Sequence, residues 1–287
     1  MNTKTKGIFS YLILAFGITW IIWEIPLQKG LARPDPLFRL IVLCGSFGPA
    51  LAGIVVRKWI TREGFSDAGL RLNTRKWQYY VAAWCLPLAV AFCIALLVVL
   101  LGLGNPDFSP KPDFVALTPG MQLPPLSPGV AFILFVVQLM VIAVLFVPLH
   151  WGEEFGWRSY LQIRLLSDRP VLAAVATGII WAVWHYPLIV RGFNYPENPG
   201  LGLILYPVST ILLSIYFGWL RLKTKSIWST CLAHSAANVV GVSIVGYLFV
   251  AGPTTLSVIH LDVLMWVPLG ILCAWIVLTG RLSPENQ

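Results

Sequence analysis

The hydrophobic pattern of this chain is one of long apolar runs parted by short polar segments. Eight such runs lie near residues 8–28, 37–57, 78–103, 129–149, 170–190, 201–220, 226–250 and 258–279. A bilayer core about 30 Å thick takes roughly 20 apolar residues per helix, so each run predicts one membrane-spanning helix. The expected fold class is therefore all-α, a polytopic bundle of about eight transmembrane helices, with residues 1–287 forming a single integral membrane domain. The first run follows Lys4 and Lys6 but is too long for a signal-peptide core and lacks an Ala-x-Ala site, which predicts a retained anchor. Seven prolines in 104–128 predict an extended loop there. Arg71, Arg75 and Lys76 ahead of Trp77, Tyr79 and Tyr80 predict that 58–77 lies at the membrane interface. No internal repeat is visible.

Composition agrees with lipid as the solvent: 57% of residues are hydrophobic, 11% are charged, and there are thirteen tryptophans. That excludes a water-soluble globule. The formal charge of +8 is spread in short clusters between the apolar runs, with no basic arm or helix set aside for phosphates, so nucleic acid is not an expected partner. Counted between the spans, fifteen Lys and Arg fall on one side and five on the other, which predicts a cell-membrane protein with both termini cytoplasmic. Cys44, Cys85, Cys93, Cys231 and Cys273 all lie in apolar runs without a CxxC, and read as packing residues.

In lipid the informative residues are the polar ones, because an ionisable group at membrane depth is costly unless paired. Three places qualify. His150-Trp-Gly-Glu153-Glu154-Phe-Gly-Trp-Arg158 ends the fourth run, and on a helix Glu154 and Arg158 are i and i+4 in the favourable acid-first order. Glu153 then points about 100° away and is free for another task. Trp181 and His185 stand four apart in the fifth run, just before Pro187, which should break or kink that helix. His234 and Asn238 share one face of the seventh run, beside the small residues Ser235, Ala236 and Ala237.

These pieces, Glu153-Glu154-xxx-Arg158, then Trp181-xxx-His185, then His234-xxx-Asn238, resemble in order and spacing the CAAX protease and bacteriocin-processing family of intramembrane endopeptidases. The resemblance covers a core of about 129–245; eukaryotic members usually carry Phe where Trp181 stands. It implies that Glu153 and His185 activate a water against a peptide carbonyl while His234 and Asn238 steady the oxyanion, with Glu154, Arg158 and Trp181 in support. It implies as partners membrane lipids and a protein or peptide substrate reached from the membrane or the cytoplasm. A cofactor is left open. Glu153, His185 and His234 could supply the two-His-one-Glu set of a catalytic zinc, but there is no HExxH, and the metal-free mechanism is the reading favoured. The principal alternative is a non-catalytic immunity or scaffold protein of the same family. A transporter relaying protons through Glu24, Glu153 and the histidines is a weaker one.

Other groups read as bland: Ser46 does not fit a serine elbow, Cys231 is packing despite lying three residues before His234, and His260 and Asp262 belong to a solvated outer interface. Depth poses a problem. At 1.5 Å per residue His234 sits roughly 12 Å, and His185 roughly 22 Å, from the inner end of its span. Either 170–178 is interfacial, the expectation favoured here because Pro170 is a natural start and Gly178 a weak point, or the 150–168 motif folds back into the membrane.

Overall fold

The computed structural model describes residues 2–31, 35–111, 126–249 and 256–282. Most of the proline-rich 104–128 segment lies outside them. Among the described residues the protein is all-helical, and eight helical stretches are long and apolar enough to cross a membrane. The helices are α1 (Thr3–Gln28), α2 (Pro36–Ser46), α3 (Gly48–Val55), α4 (Trp77–Leu100), α5 (Pro128–Leu145), α6 (Val147–Gly156), α7 (Pro170–Ile189), α8 (Pro199–Thr224), α9 (Trp228–Phe249) and α10 (Val258–Leu278). This is a multi-pass membrane protein. Its spans match the eight predicted runs, although α1 begins five residues earlier than expected because Asn2 caps it, accepting from the Thr5 amide.

Two spans are broken where the sequence reading drew one rod, and proline explains both. Pro49 has no N–H to give the Gly45 carbonyl, so the second span parts at Phe47 into α2 and α3. The Thr19 hydroxyl takes up that carbonyl at 2.9 Å. Pro148 does the same to the fourth span, which stops at Leu145 and resumes as α6. Pro187, by contrast, falls in the last turn of α7, which runs two residues beyond it.

The α6 segment decides the architecture. From Gly152 to Gln162 every residue is buried, including Glu153, Glu154 and Arg158. Such a path needs close helix approach, which Gly152 and Gly156 provide on one face against the start of α3. A Cβ on Gly152 would stand 2.7 Å from the Ser46 carbonyl, and one on Gly156 2.3 Å from the Pro49 side chain. After Gly156 the helix widens by one residue, closed by a bond from the Gln162 amide to the Trp157 carbonyl at 2.8 Å, a local widening common at functional sites. The motif therefore folds into the bundle. The late start expected for the fifth span is not seen: α7 is continuous from Pro170, with Ala173, Ala174, Thr177 and Gly178 buried and Gly178 seated on the backbone of α8 at Ile211. Helix α9 runs through the centre, packed on α4, α5, α6 and α8.

Residues 61–73 form a strap bonded across the end of the motif at Ser159. The Ser159 hydroxyl donates to Ala68, the Ile227 amide to Gly69, and the Trp228 indole to Leu70. Arg57, fully buried, donates to the Gly64 and Ser159 carbonyls and to the Asp67 carboxylate. Gly69 has φ +71°, and a Cβ there would meet the Arg221 guanidinium at 2.8 Å, so only glycine suits this bend. Partial burial works to raise the Asp67 carboxyl's pKa, but Arg57 and Arg164 prevail and hold it below the usual range. Its ionised form thus stabilises the fold above the unfolded-state pKa, and that contribution is lost as pH falls through the lower folded value. Asp67→Asn should lower the melting temperature at pH 7, and the gap from the parent should close on acidification below pH 4, as thermal unfolding across pH will show.

Candidate active site

Four elements bring the predicted residues together. Glu153 and Glu154 come from α6, Trp181 and His185 from α7, and His234 and Asn238 from α9, while Arg158 lies in the widened turn after α6. Trp181 joins these parts. Its indole donates to Glu153 Oε2 at 2.7 Å, its carbonyl accepts from His185 Nδ1 at 2.9 Å, and its ring meets that of His234 edge-on at 5.2 Å. This bridge resolves the depth problem: Trp181 sits one turn nearer the inner end than His185, and its side chain reaches the level of His234. Among the described residues no hydrogen bond links Glu153 to His185 directly.

Glu154 is completely buried, and its Oε1 accepts both from Arg158 Nη1 at 3.1 Å and from His234 Nδ1 at 2.9 Å. The first contact is the i, i+4 pair read from the sequence; the second is not visible there. Arg158 in turn lies over the Trp181 and Phe217 rings, 4.5 and 5.1 Å from their centroids. Trp181 and Phe217 thus flank the Arg158 guanidinium within the cluster.

The ring nitrogens constrain what the histidines can do. His185 gives its Nδ1–H to a carbonyl, so Nε2 of the neutral ring carries the lone pair. His234 faces a carboxylate with Nδ1, so its Nε2 is a lone pair when the ring is neutral and a donor only when the ring carries a second proton. Asn238, on the exposed side of the cluster, places its amide nitrogen 3.1 Å from Nε2 of His150. His150 bonds the Phe146 carbonyl through Nδ1 at 3.0 Å and lays its ring on His234 at 4.6 Å.

His150 is thus a site residue to which the sequence reading gave no role, although its i, i+4 relation to Glu154 puts the two on one face of α6. Tyr206 was also missed: its ring stands edge-on to His185 at 5.2 Å. No spacing in the sequence marks it.

Other expectations come out differently. Asp262 does not lie in a solvated interface; it accepts from Ser209 at 2.7 Å and from Tyr195, tying α10 to α8. His260 is exposed and closes a capping box with Ser257. Glu24 is bonded to Arg191 through both oxygens, outside the cluster. Cys231 is buried beside Phe155 and Ile227, as expected of packing. For a zinc ion the donor chemistry is suitable, since both histidines hold Nδ1 away and present Nε2. Their placement is not: among the described residues no three His, Cys, Asp or Glu side chains are grouped as a metal site.

Comparison with known proteins now bears on this geometry. Residues 129–240, which carry every one of these motif residues, match the family model described as type II CAAX prenyl endopeptidase Rce1-like. A protein named CAAX prenyl protease 2 from Methanococcus maripaludis is 25% identical over 237 residues, 79% of this chain and 81% of that protein.

Proposed function

We propose that this chain, whose residues 129–240 match the type II CAAX prenyl endopeptidase Rce1-like model, is an intramembrane endopeptidase hydrolysing a peptide bond in a membrane-held polypeptide by means of a water activated at Glu153. The observation that carries the reading is the Trp181 bridge, which draws a buried carboxylate and two histidines from three helices into one cluster. The family and the archaeal relative support a CAAX-type substrate, and the fifteen-to-five distribution of basic residues supports cytoplasmic termini in the cell membrane.

In this mechanism Glu153 Oε1, which the indole leaves free, takes a proton from the water as its oxygen bonds to the substrate carbonyl carbon. His185 Nε2 accepts the water's other hydrogen and holds it in line. Negative charge then grows on the carbonyl oxygen, where the second amide hydrogen of Asn238 and the Nε2–H of protonated His234 receive it. When the C–N bond breaks, Glu153 returns its proton to the leaving amine.

No step here passes through an ion. Purified protein should keep its activity at substoichiometric zinc, and His234→Ala should weaken the transition state by roughly 3 kcal/mol, as for a lost oxyanion donor. Elemental analysis beside a cleavage assay checks this; stoichiometric zinc lost together with activity in His234→Ala would defeat it. The proteolytic reading itself is tested by comparing the membrane proteome with and without the chain. New C-terminal ends that need an intact Glu153 are expected, and their absence under conditions where the protein is expressed counts against it.

A further inference from the structure

A second polar site lies at the cytoplasmic end of the bundle, apart from the cluster at Glu153. Here a cavity of about 140 Å³ opens between the start of α7 and the end of α8, lined by Gln162, Ser167, Pro170, Ala173, Gly218 and Arg221 among others. Such a volume is several times the roughly 10–15 Å³ that one water requires on the same measure. Arg221 is only 6% exposed, donates through Nη2 to the Asp67 carbonyl at 2.6 Å, and keeps its buried Nε without a partner. Gln162 is as deeply buried, and its Oε1 is likewise unpartnered.

The charges around this cavity do not cancel. Glu63 and Asp67 are both paired with Arg164, and Asp67 also with Arg57, so three guanidiniums, counting Arg221, face two carboxylates. Among the described residues Arg221 has no ion pair. The positive end of α7 adds to the surplus, because the helix begins at Pro170 and no side chain caps it. Lys4 reaches the rim, donating to the Ser167 hydroxyl at 2.8 Å. A buried guanidinium that lines the cavity without an ion pair, an uncapped helix start and a nearby ammonium together select an oxyanion carrying about one negative charge.

We propose that this cavity binds the phosphate of an anionic phospholipid from the leaflet that faces the strap. A lipid suits it better than a free ion because Ile163 and Leu222 continue the lining and Leu172, beside it on α7, is 48% exposed, giving the glycerol and upper acyl chain an apolar path. Bound there, the headgroup joins the strap, the turn at 162–169 and two spans. Occupancy should therefore raise the stability of the whole fold.

The test uses the full chain in neutral detergent, melted during titration with phosphatidylglycerol, with phosphatidylcholine and with inorganic phosphate in parallel arms. Phosphatidylglycerol should raise the melting temperature saturably, and Arg221→Gln should weaken its apparent affinity about tenfold or more. Since Arg221 also holds the strap, Ser167→Glu provides a second variant: the position is exposed, and a carboxylate at the rim competes with the headgroup. It should weaken the lipid's effect as much, whereas Arg75→Gln, on the exposed basic surface, should not. Equal lipid stabilisation in the parent and Ser167→Glu would overturn the site. Inorganic phosphate reproducing the effect at equal concentration would overturn the assignment to lipid, as would an equal rise with phosphatidylcholine.

Discussion

Glu153→Gln should lower kcat/KM for peptide cleavage by about 10³-fold while leaving the protein folded and abundant in the membrane. A general base contributes typically 10²–10⁴-fold, about 3–5 kcal/mol, and glutamine cannot accept the water's proton. The fold should survive because Glu153 makes one side-chain hydrogen bond, from the Trp181 indole, which the glutamine carbonyl oxygen can still receive. Parent-like turnover in the purified variant would remove Glu153 from its assigned role.

Glu154→Gln should differ in kind, losing stability and activity together. Its carboxylate lies between Arg158 and His234, all three buried. Arg158 is fully buried, and breaking a buried pair by removing one partner typically costs about 3–5 kcal/mol, a large share of the roughly 5–15 kcal/mol that holds a domain together. In whatever fraction folds, His234 loses the carboxylate that receives its Nδ1–H and holds the ring in place. Catalysis per folded molecule should fall a further 10²-fold or so, the scale of a lost oxyanion donor. Detergent thermal melts with active-fraction-corrected rates separate the two losses. A variant that is unstable but fully active per folded molecule would reduce Glu154 to a structural role.

The sequence made the spans legible for a physical reason: in a bilayer each helix must satisfy its own backbone and present apolar side chains over some twenty residues. The breaks at Phe47 and Phe146 were written there too, in Pro49 and Pro148, but a single mid-run proline is compatible with either a kink or a break. At the first break the hydroxyl of Thr19, from another helix, takes the Gly45 carbonyl, which lies beyond local reading; at the second the imidazole of His150 takes the Phe146 carbonyl one turn back. The motif's burial depended in the same way on Gly152 and Gly156 meeting the start of α3, a contact between helices a hundred residues apart.

Within the site, local spacing gave the Glu154–Arg158 pair, because i and i+4 neighbours are fixed by helix geometry alone. The contact of His234 with that same carboxylate spans 80 residues, and no periodicity encodes it. It alters the chemistry, since it makes His234 a donor only in its charged form. Asp262 was misjudged because depth was counted along its own helix; Tyr195 and Ser209, which enclose it, come from elsewhere in the chain.

The central claim is that Glu153 acts as a base on water, and one measurement bears on it most directly. A single turnover of a membrane-held peptide in ¹⁸O-water, followed by mass spectrometry of the product and of the protein, traces the attacking oxygen. The account predicts one ¹⁸O in the new carboxylate of the product and none in the peptide of the enzyme that contains Glu153. Label on Glu153 with an unlabelled first-turnover product would mean that the carboxylate itself attacks the carbonyl, and would contradict the account.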